Sequence, residues 1–263
     1  MVDLATLLTD LDAETAEVDA LVADLPTRDW ARLTPSPGWT IAHQIAHLTW
    51  TDQAARLATT GDEALGSFVA TFADDPAHFV DNGAAAYLAP PDELLRRWRE
   101  GHKQLDDALL AAPPGTRIPW FGNLMSPQSM ATARIMETWA HGLDIADALG
   151  VTRRPTARLR HIAFLGFRTL GHSFATHGLA VPTDPVRVEL VAPDGGEWVF
   201  GPEAATDRLT GPALDFCLLV TQRRNRTELA LVAEGPVARQ WLDIAQAFAG
   251  PPGEGRAPAQ ATA

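Results

Sequence analysis

Apolar residues over 3–25 fall at Leu4, Leu7, Leu8, Leu11, Val18, Leu21, Val22 and Leu25. Steps of three and four place them on one stripe of an amphipathic helix. The stretch LTPSPGWT breaks that pattern with two prolines and a glycine, and Thr40 then stands where a cap is needed for a helix over 41–58. The region 60–90 carries Gly61, Asp74-Asp75-Pro76 and Asn82-Gly83, which predicts loops with short helical pieces. After Pro90-Pro91, the positions Leu94, Leu95, Trp98, Leu105 and Leu109 predict a helix over 92–111, ended by Pro113-Pro114-Gly115. Ser126-Pro127 reads as an N-cap followed by proline at the first helical position, and Gly150 closes the helix after Leu149. Four long helices in the first 150 residues predict a helical bundle.

The pattern changes in the second half. A helix over 156–178 is followed by DPVRVELVAP, where Val186, Val188 and Leu190 alternate as in a strand. DGG then makes a turn and EWVFG returns as a second strand. A short helix near 211–222, a strand in TELALVA and a helix in VARQWLDIAQAFAG complete the pattern. The predicted fold class is α+β, with a helical bundle over 1–150 and a smaller α+β domain over 151–250. A tail over 251–263, low in large apolar residues, is predicted to be disordered.

Bulk properties narrow the partners. The net charge of −12 leaves no basic surplus to neutralise phosphates, so a nucleic-acid partner is not expected. No apolar segment approaches the length of a membrane span, and the acidic N-terminal stretch is unlike a signal peptide. A single cysteine, Cys217, excludes an internal disulfide and a cysteine-cluster zinc site. It lies in the apolar run ALDFCLLV and reads as a buried structural thiol. These features together give the expectation of a cytoplasmic protein; a small-molecule substrate is expected from the candidate metal chemistry.

Candidate chemistry centres on two helices. IAHQIAHL places His43 and His47 four residues apart, and METWAHGLDIADALG does the same for Glu137 and His141. Such spacings also occur on ordinary solvated helices, so the pairs alone are compatible with a polar face. His47 and His141, however, have apolar neighbours, and burying Glu137 there without a cation or donor would cost several kcal/mol. Imidazoles and a carboxylate facing inward from different helices suit a divalent metal, with zinc the default, and three protein ligands would leave a position for water or substrate. Asp144, one turn past His141, is a candidate acceptor for an imidazole N–H, or else an exposed helix carboxylate. Trp120, Phe121 and Met125 in PGTRIPWFGNLMS precede the second of these helices and are candidates for the mouth of a pocket. Asp52 reads as a surface group, and Trp39 and Trp50 as core aromatics.

SPGWTIAHQIAHLTW resembles the PGWT-x-x-x-x-x-AHL signature of the DinB-like superfamily, in particular the N-terminal domain of mycothiol-dependent maleylpyruvate isomerases. METWAHGLDIADALG is similar to that family's E-x-x-x-H-x-x-D segment, and GPALDFCLLVTQRR to its apolar C-terminal helix ending in arginine. The resemblance covers nearly the whole chain and is nearest to a metal-binding subgroup with no assigned reaction. It implies a DinB-like four-helix bundle, with metal ligands His47, Glu137 and His141. It assigns no ligand role to His43, which is then a pocket-lining group or a neighbour of a ligand. It also implies mycothiol as a thiol cofactor and an arginine directed at the substrate, for which Arg223 and Arg224 are the candidates, with Arg226 nearby. The expected protein is a metal-dependent isomerase or transferase. A thiol-independent Lewis-acid isomerase, cyclase or hydrolase, and a non-catalytic metal or ligand sensor, are the other readings.

Overall fold

The computed structural model describes residues 2–121 and 123–258. Met1, Gly122 and residues 259–263, the last part of the tail expected to be disordered, lie outside the described residues. The chain divides into two compact units, 1–153 and 154–263.

The first unit is built on four long helices, α1 (Leu4–Val22), α2 (Ile41–Ala58), α5 (Pro91–Ala111) and α6 (Pro127–Leu149). Two shorter helices, α3 (Asp62–Ala70) and α4 (Phe79–Ala86), fill the mixed region between α2 and α5. A small hairpin, β1 (Ile118–Trp120) and β2 (Asn123–Met125), precedes α6. The helix ends follow from local chemistry. The Asp3 carboxylate accepts the Thr6 N–H at the start of α1, and the Ser126 hydroxyl oxygen accepts the Ser129 N–H at the start of α6. Gly150, in the left-handed region at φ 69°, ends α6.

Helix α1 packs along α6, and α2 packs along α5 while also touching α6. Their apolar stripes meet in a core that includes Val18, Val22, Ile41, Ile45, Leu48, Leu94, Trp98 and Ile145. Gly142 permits the close approach of α1 to α6: a Cβ there would lie 2.4 Å from a Val18 methyl carbon. Gly83 does the same for α4, where an added Cβ would fall 2.5 Å from the buried Trp50 ring.

In the second unit, the single helix expected over 156–178 is two, α7 (Leu159–Arg168) and α8 (Leu170–Thr176). Thr169 sits between them at φ −92°, ψ 10°, with its hydroxyl turned back onto the carbonyls of Leu165 and Gly166. The sheet runs in the order β4-β3-β5-β6, comprising β3 (Val186–Val191), β4 (Glu197–Phe200), β5 (Asp207–Pro212) and β6 (Val232–Glu234). β3 pairs antiparallel with β4 and parallel with β5. Sequence patterning missed β5, because Asp207 occupies an inward position beside Leu209 and reads as a loop residue. Buried Asp207 is satisfied there by the Ala238 N–H at 2.8 Å, at the start of α10 (Pro236–Ile244). The strand expected in TELALVA is confined to its end, since 226–228 form a single 3-10 turn. Helix α9 (Ala213–Val220) buries Cys217 completely.

Helix α10 stops short of the predicted Gly250. Ala245 leaves helical geometry at ψ 128°, and the backbone beyond it bonds elsewhere: Gln246 N–H to the Ser173 hydroxyl oxygen, Ala247 N–H to the Val220 carbonyl. The first part of the tail is tied down by two amide side chains. Fully buried Gln246 accepts the Gly253 N–H and donates to the Phe248 and Pro251 carbonyls, while Gln222 accepts the Gly255 N–H. Among the described residues, no helix is long and apolar enough to cross a membrane.

Candidate metal centre

His47 comes from α2, and Glu137 and His141 from one face of α6. The packing of those helices brings Glu137 Oε2 to 3.2 Å from His141 Nε2 and 3.7 Å from His47 Nε2. The two imidazole centroids are 4.3 Å apart. One donor atom from each residue lies within 4.8 Å of the other two. Both histidines are buried, whereas 22% of the Glu137 side chain stays exposed, so the carboxylate forms the accessible edge of the group.

The electrostatics match the geometry. Burial pushes the Glu137 carboxyl up, but the His141 and His47 imidazoles facing it hold it well below the usual carboxylate range. Glu137 is therefore an anion facing two imidazoles. A tetrahedral zinc site with bonds of about 2.0–2.1 Å separates its donors by roughly 3.3 Å. The 3.2 and 3.7 Å separations from Glu137 lie within a few tenths of an ångström of that value, and the ligand nitrogens of His47 and His141 lie within 4.8 Å of each other. His47 Nδ1 is buried with no hydrogen-bond partner among the described residues. The donor set and its spacing fit a divalent cation.

The other sequence candidates take different places. His43 is not one of the three converging residues. Its Nδ1 accepts the Thr40 N–H at 3.3 Å and lies 2.8 Å from the Thr40 hydroxyl, closing the first turn of α2. Burial lowers the His43 pKa, against the pull of Asp81. Asp144 is fully buried rather than exposed, and its Oδ2 accepts the Ser36 hydroxyl at 3.0 Å. Trp120 and Met125 lie on the hairpin, whose β1 touches α2 and α3 and whose β2 touches α6. Phe121 at its turn, 41% exposed and at φ 41°, forms an aromatic row with Trp120 and Phe79. Arg223 and Arg224 follow the end of α9 in the second unit. There Arg223 donates to the Thr221 carbonyl and Arg224 to the Arg223 carbonyl, each at 2.7 Å.

Two expectations are corrected. Asp52 is not a surface group: it is 3% exposed and pairs with Arg134, 1% exposed, at 2.8 Å. The partner comes from α6, too distant in sequence for local pattern to reveal it. Trp39 is not a core aromatic like Trp50. It is half-buried, with its ring centroid 5.2 Å from that of His47 and 6.0 Å from that of His141, and its Nε1–H donates to Asp81 at 2.7 Å.

Sequence reading overlooked one residue beside the centre. Gln44 is fully buried, and its Oε1 lies 2.5 Å from His141 Nδ1. The available signal was an uncharged polar residue inside the apolar-flanked run IAHQIAHL, one helical turn before His47.

Comparison with known proteins gives a consistent set of likenesses. Residues 11–146 match a family described as the mycothiol maleylpyruvate isomerase N-terminal domain. Residues 182–234 match a family described as wyosine base formation. Two uncharacterised proteins, from two strains of Mycobacterium tuberculosis, are each 52% identical over 257 residues, covering 97% of this chain and 100% of theirs. Crystal structures of the mycothiol-dependent maleylpyruvate isomerase and of its histidine-to-alanine variant each superpose with a TM-score of 0.59 at 15% identity. Each likeness covers 90% of this chain and 96% of the other, and at that identity it establishes the shared fold.

Proposed function

Because the chain belongs to the mycothiol maleylpyruvate isomerase family, we propose that it is a divalent-metal enzyme, using mycothiol to isomerise a small organic substrate or transfer a thiol to it. His47, Glu137 and His141 hold the cation, with zinc the expected ion. The observation that carries this reading is the convergence of three donor atoms within 4.8 Å of one another from two helices. Three protein donors leave one coordination position available, the pattern of catalytic rather than structural sites. When bound, a divalent cation lowers the pKa of a thiol and supplies a thiolate near neutral pH.

The chain's own residues divide the remaining work. Ionised Glu137 offsets the cation's charge at the exposed edge of the group. His47 and His141 contribute nitrogen donors from the buried side. Trp39 lies against both imidazoles and limits water there, with its indole anchored by Asp81. Phe79, Phe121 and Trp120 supply apolar surface on the same unit for the organic part of a substrate.

The test is elemental analysis of freshly purified protein, joined to a mycothiol titration with and without chelator. The expected result is about one divalent ion per chain and thiol affinity that chelator removes. His47→Ala abolishes stoichiometric metal binding, while His43→Ala retains it. Equal metal loss in both variants refutes the ligand assignment. Metal without chelator-sensitive thiol affinity refutes the mycothiol step and leaves a thiol-independent Lewis-acid enzyme.

A further inference from the structure

A chain of four hydrogen-bonding groups leads from the Trp39 backbone to His141, and each link sets the polarity of the next. The Trp39 carbonyl can only accept, and the Thr34 hydroxyl donates to it at 3.0 Å. With its single proton committed, the Thr34 oxygen faces Gln44 as an acceptor, and Gln44 Nε2–H donates to it at 2.8 Å. That orients the Gln44 amide, so its Oε1 must be the atom 2.5 Å from His141 Nδ1. An amide oxygen accepts, so Nδ1 carries the proton. A proton on Nε2 would go to Glu137, 3.2 Å away, so Nε2 is the nitrogen whose proton a metal displaces.

From this polarity we infer that Gln44 is a positioning residue. It keeps a proton on His141 Nδ1, so that Nε2 is the nitrogen left to a metal. The inference rests on the reading of His47, Glu137 and His141 as metal ligands. Gln44 and Thr34 are both buried, so bulk water does not substitute for either partner. Without Gln44, the imidazole can place its proton on Nε2 and donate to Glu137, which removes the lone pair from the centre. The two histidines therefore differ: His141 is set by a chain reaching the loop before α2, whereas His47 Nδ1 has no such partner among the described residues. The loop that carries Trp39 and the ligand-bearing face of α6 are thereby joined through one amide.

The test is competition of Zn2+ between the protein and a chromophoric chelator, combined with nitrogen-15 NMR of histidine-labelled, zinc-free protein above the imidazole titration range. Gln44→Leu keeps the shape but removes the acceptor, and zinc affinity falls by about 10–100-fold. Gln44→Glu keeps an oxygen facing Nδ1–H and holds affinity within about threefold of wild type or tightens it. Thr34→Val frees the amide to flip and weakens zinc less than Gln44→Leu does. In the NMR spectrum, His141 is Nδ1–H in wild type and shifts toward Nε2–H in Thr34→Val and Gln44→Leu. Wild-type zinc affinity in a folded Gln44→Leu overturns the inference. If that variant does not fold, an unchanged His141 tautomer and zinc affinity in Thr34→Val overturn it. His47→Ala separates the two levels: if it retains zinc, the metal reading itself fails, whereas if it loses zinc and the Gln44 and Thr34 variants do not, only the role of Gln44 fails.

Discussion

Replacing Asp52 with asparagine removes one charge from the bundle interior and almost none of its volume. The guanidinium of Arg134, 1% exposed and bonded to Asp52 at 2.8 Å, then loses its carboxylate partner. Arg134 Nη2 is already buried without a hydrogen-bond partner among the described residues, so the site has little spare solvation. Breaking a buried ion pair by neutralising one partner costs about 3–5 kcal/mol, because the remaining charge stays desolvated. The retained amide oxygen still accepts one hydrogen bond, which places Asp52→Asn near the lower limit, about 3 kcal/mol. Against a typical stability of about 5–15 kcal/mol, that is a large fraction. For a chain of this size it lowers Tm by roughly 6–12 °C. The double variant Asp52→Leu, Arg134→Met removes both charges together and is expected within about 1 kcal/mol of wild type. Urea unfolding followed by circular dichroism of wild type and the two variants measures both costs. A loss below about 1 kcal/mol in Asp52→Asn, with the double variant worse than it, would show that Arg134 is solvated and would refute the argument.

Three further outcomes follow from the same packing and electrostatics. Gly83→Ala drives a methyl group into the Trp50 ring and is expected to cost about 1–3 kcal/mol by urea unfolding; a neutral result would mean that α4 can move off α2 freely. Asp106 is raised to about 7, first by burial and then by Asp12 and Asp52, against the opposing pull of His102. The folded state thus keeps a proton that the unfolded chain releases above about pH 4, so this contribution is complete below that pH and is lost as pH rises through about 7. Asp106→Asn should narrow the Tm difference between about pH 5 and about pH 8, and an unchanged difference would contradict the assignment. Burial drives the Cys217 thiol pKa upward and leaves its sulfur inaccessible, so a chromogenic disulfide reagent should label it only on unfolding; rapid labelling of native protein would contradict that.

Most of the helical framework was legible because its signals are local. Thr40, Ser126-Pro127 and Gly150 each act within a few residues, and the leucine stripe of α1 repeats at the helical period. The same logic failed at Thr169, where a side chain competes with the helix it sits in, and at Asp207, where a charged residue occupies an inward strand position. At the centre, the spacing of His43 with His47 and of Glu137 with His141 made four candidates equivalent as patterns. The resemblance to a known family separated His43 from the others, and the structure places that imidazole in the capping turn of α2.

The residue pattern alone specified where the four long helices of the first unit begin and end, which faces are apolar, and that two helices carry imidazole and carboxylate. Those properties depend on neighbours a few positions apart. The pairing of those helices settled the rest. Gln44 meets His141 across 97 positions, and Asp52 meets Arg134 across 82. The meaning of each such polar residue depends on a partner that no local period encodes. Once buried away from water, each had to find that partner, and only chain packing could supply it.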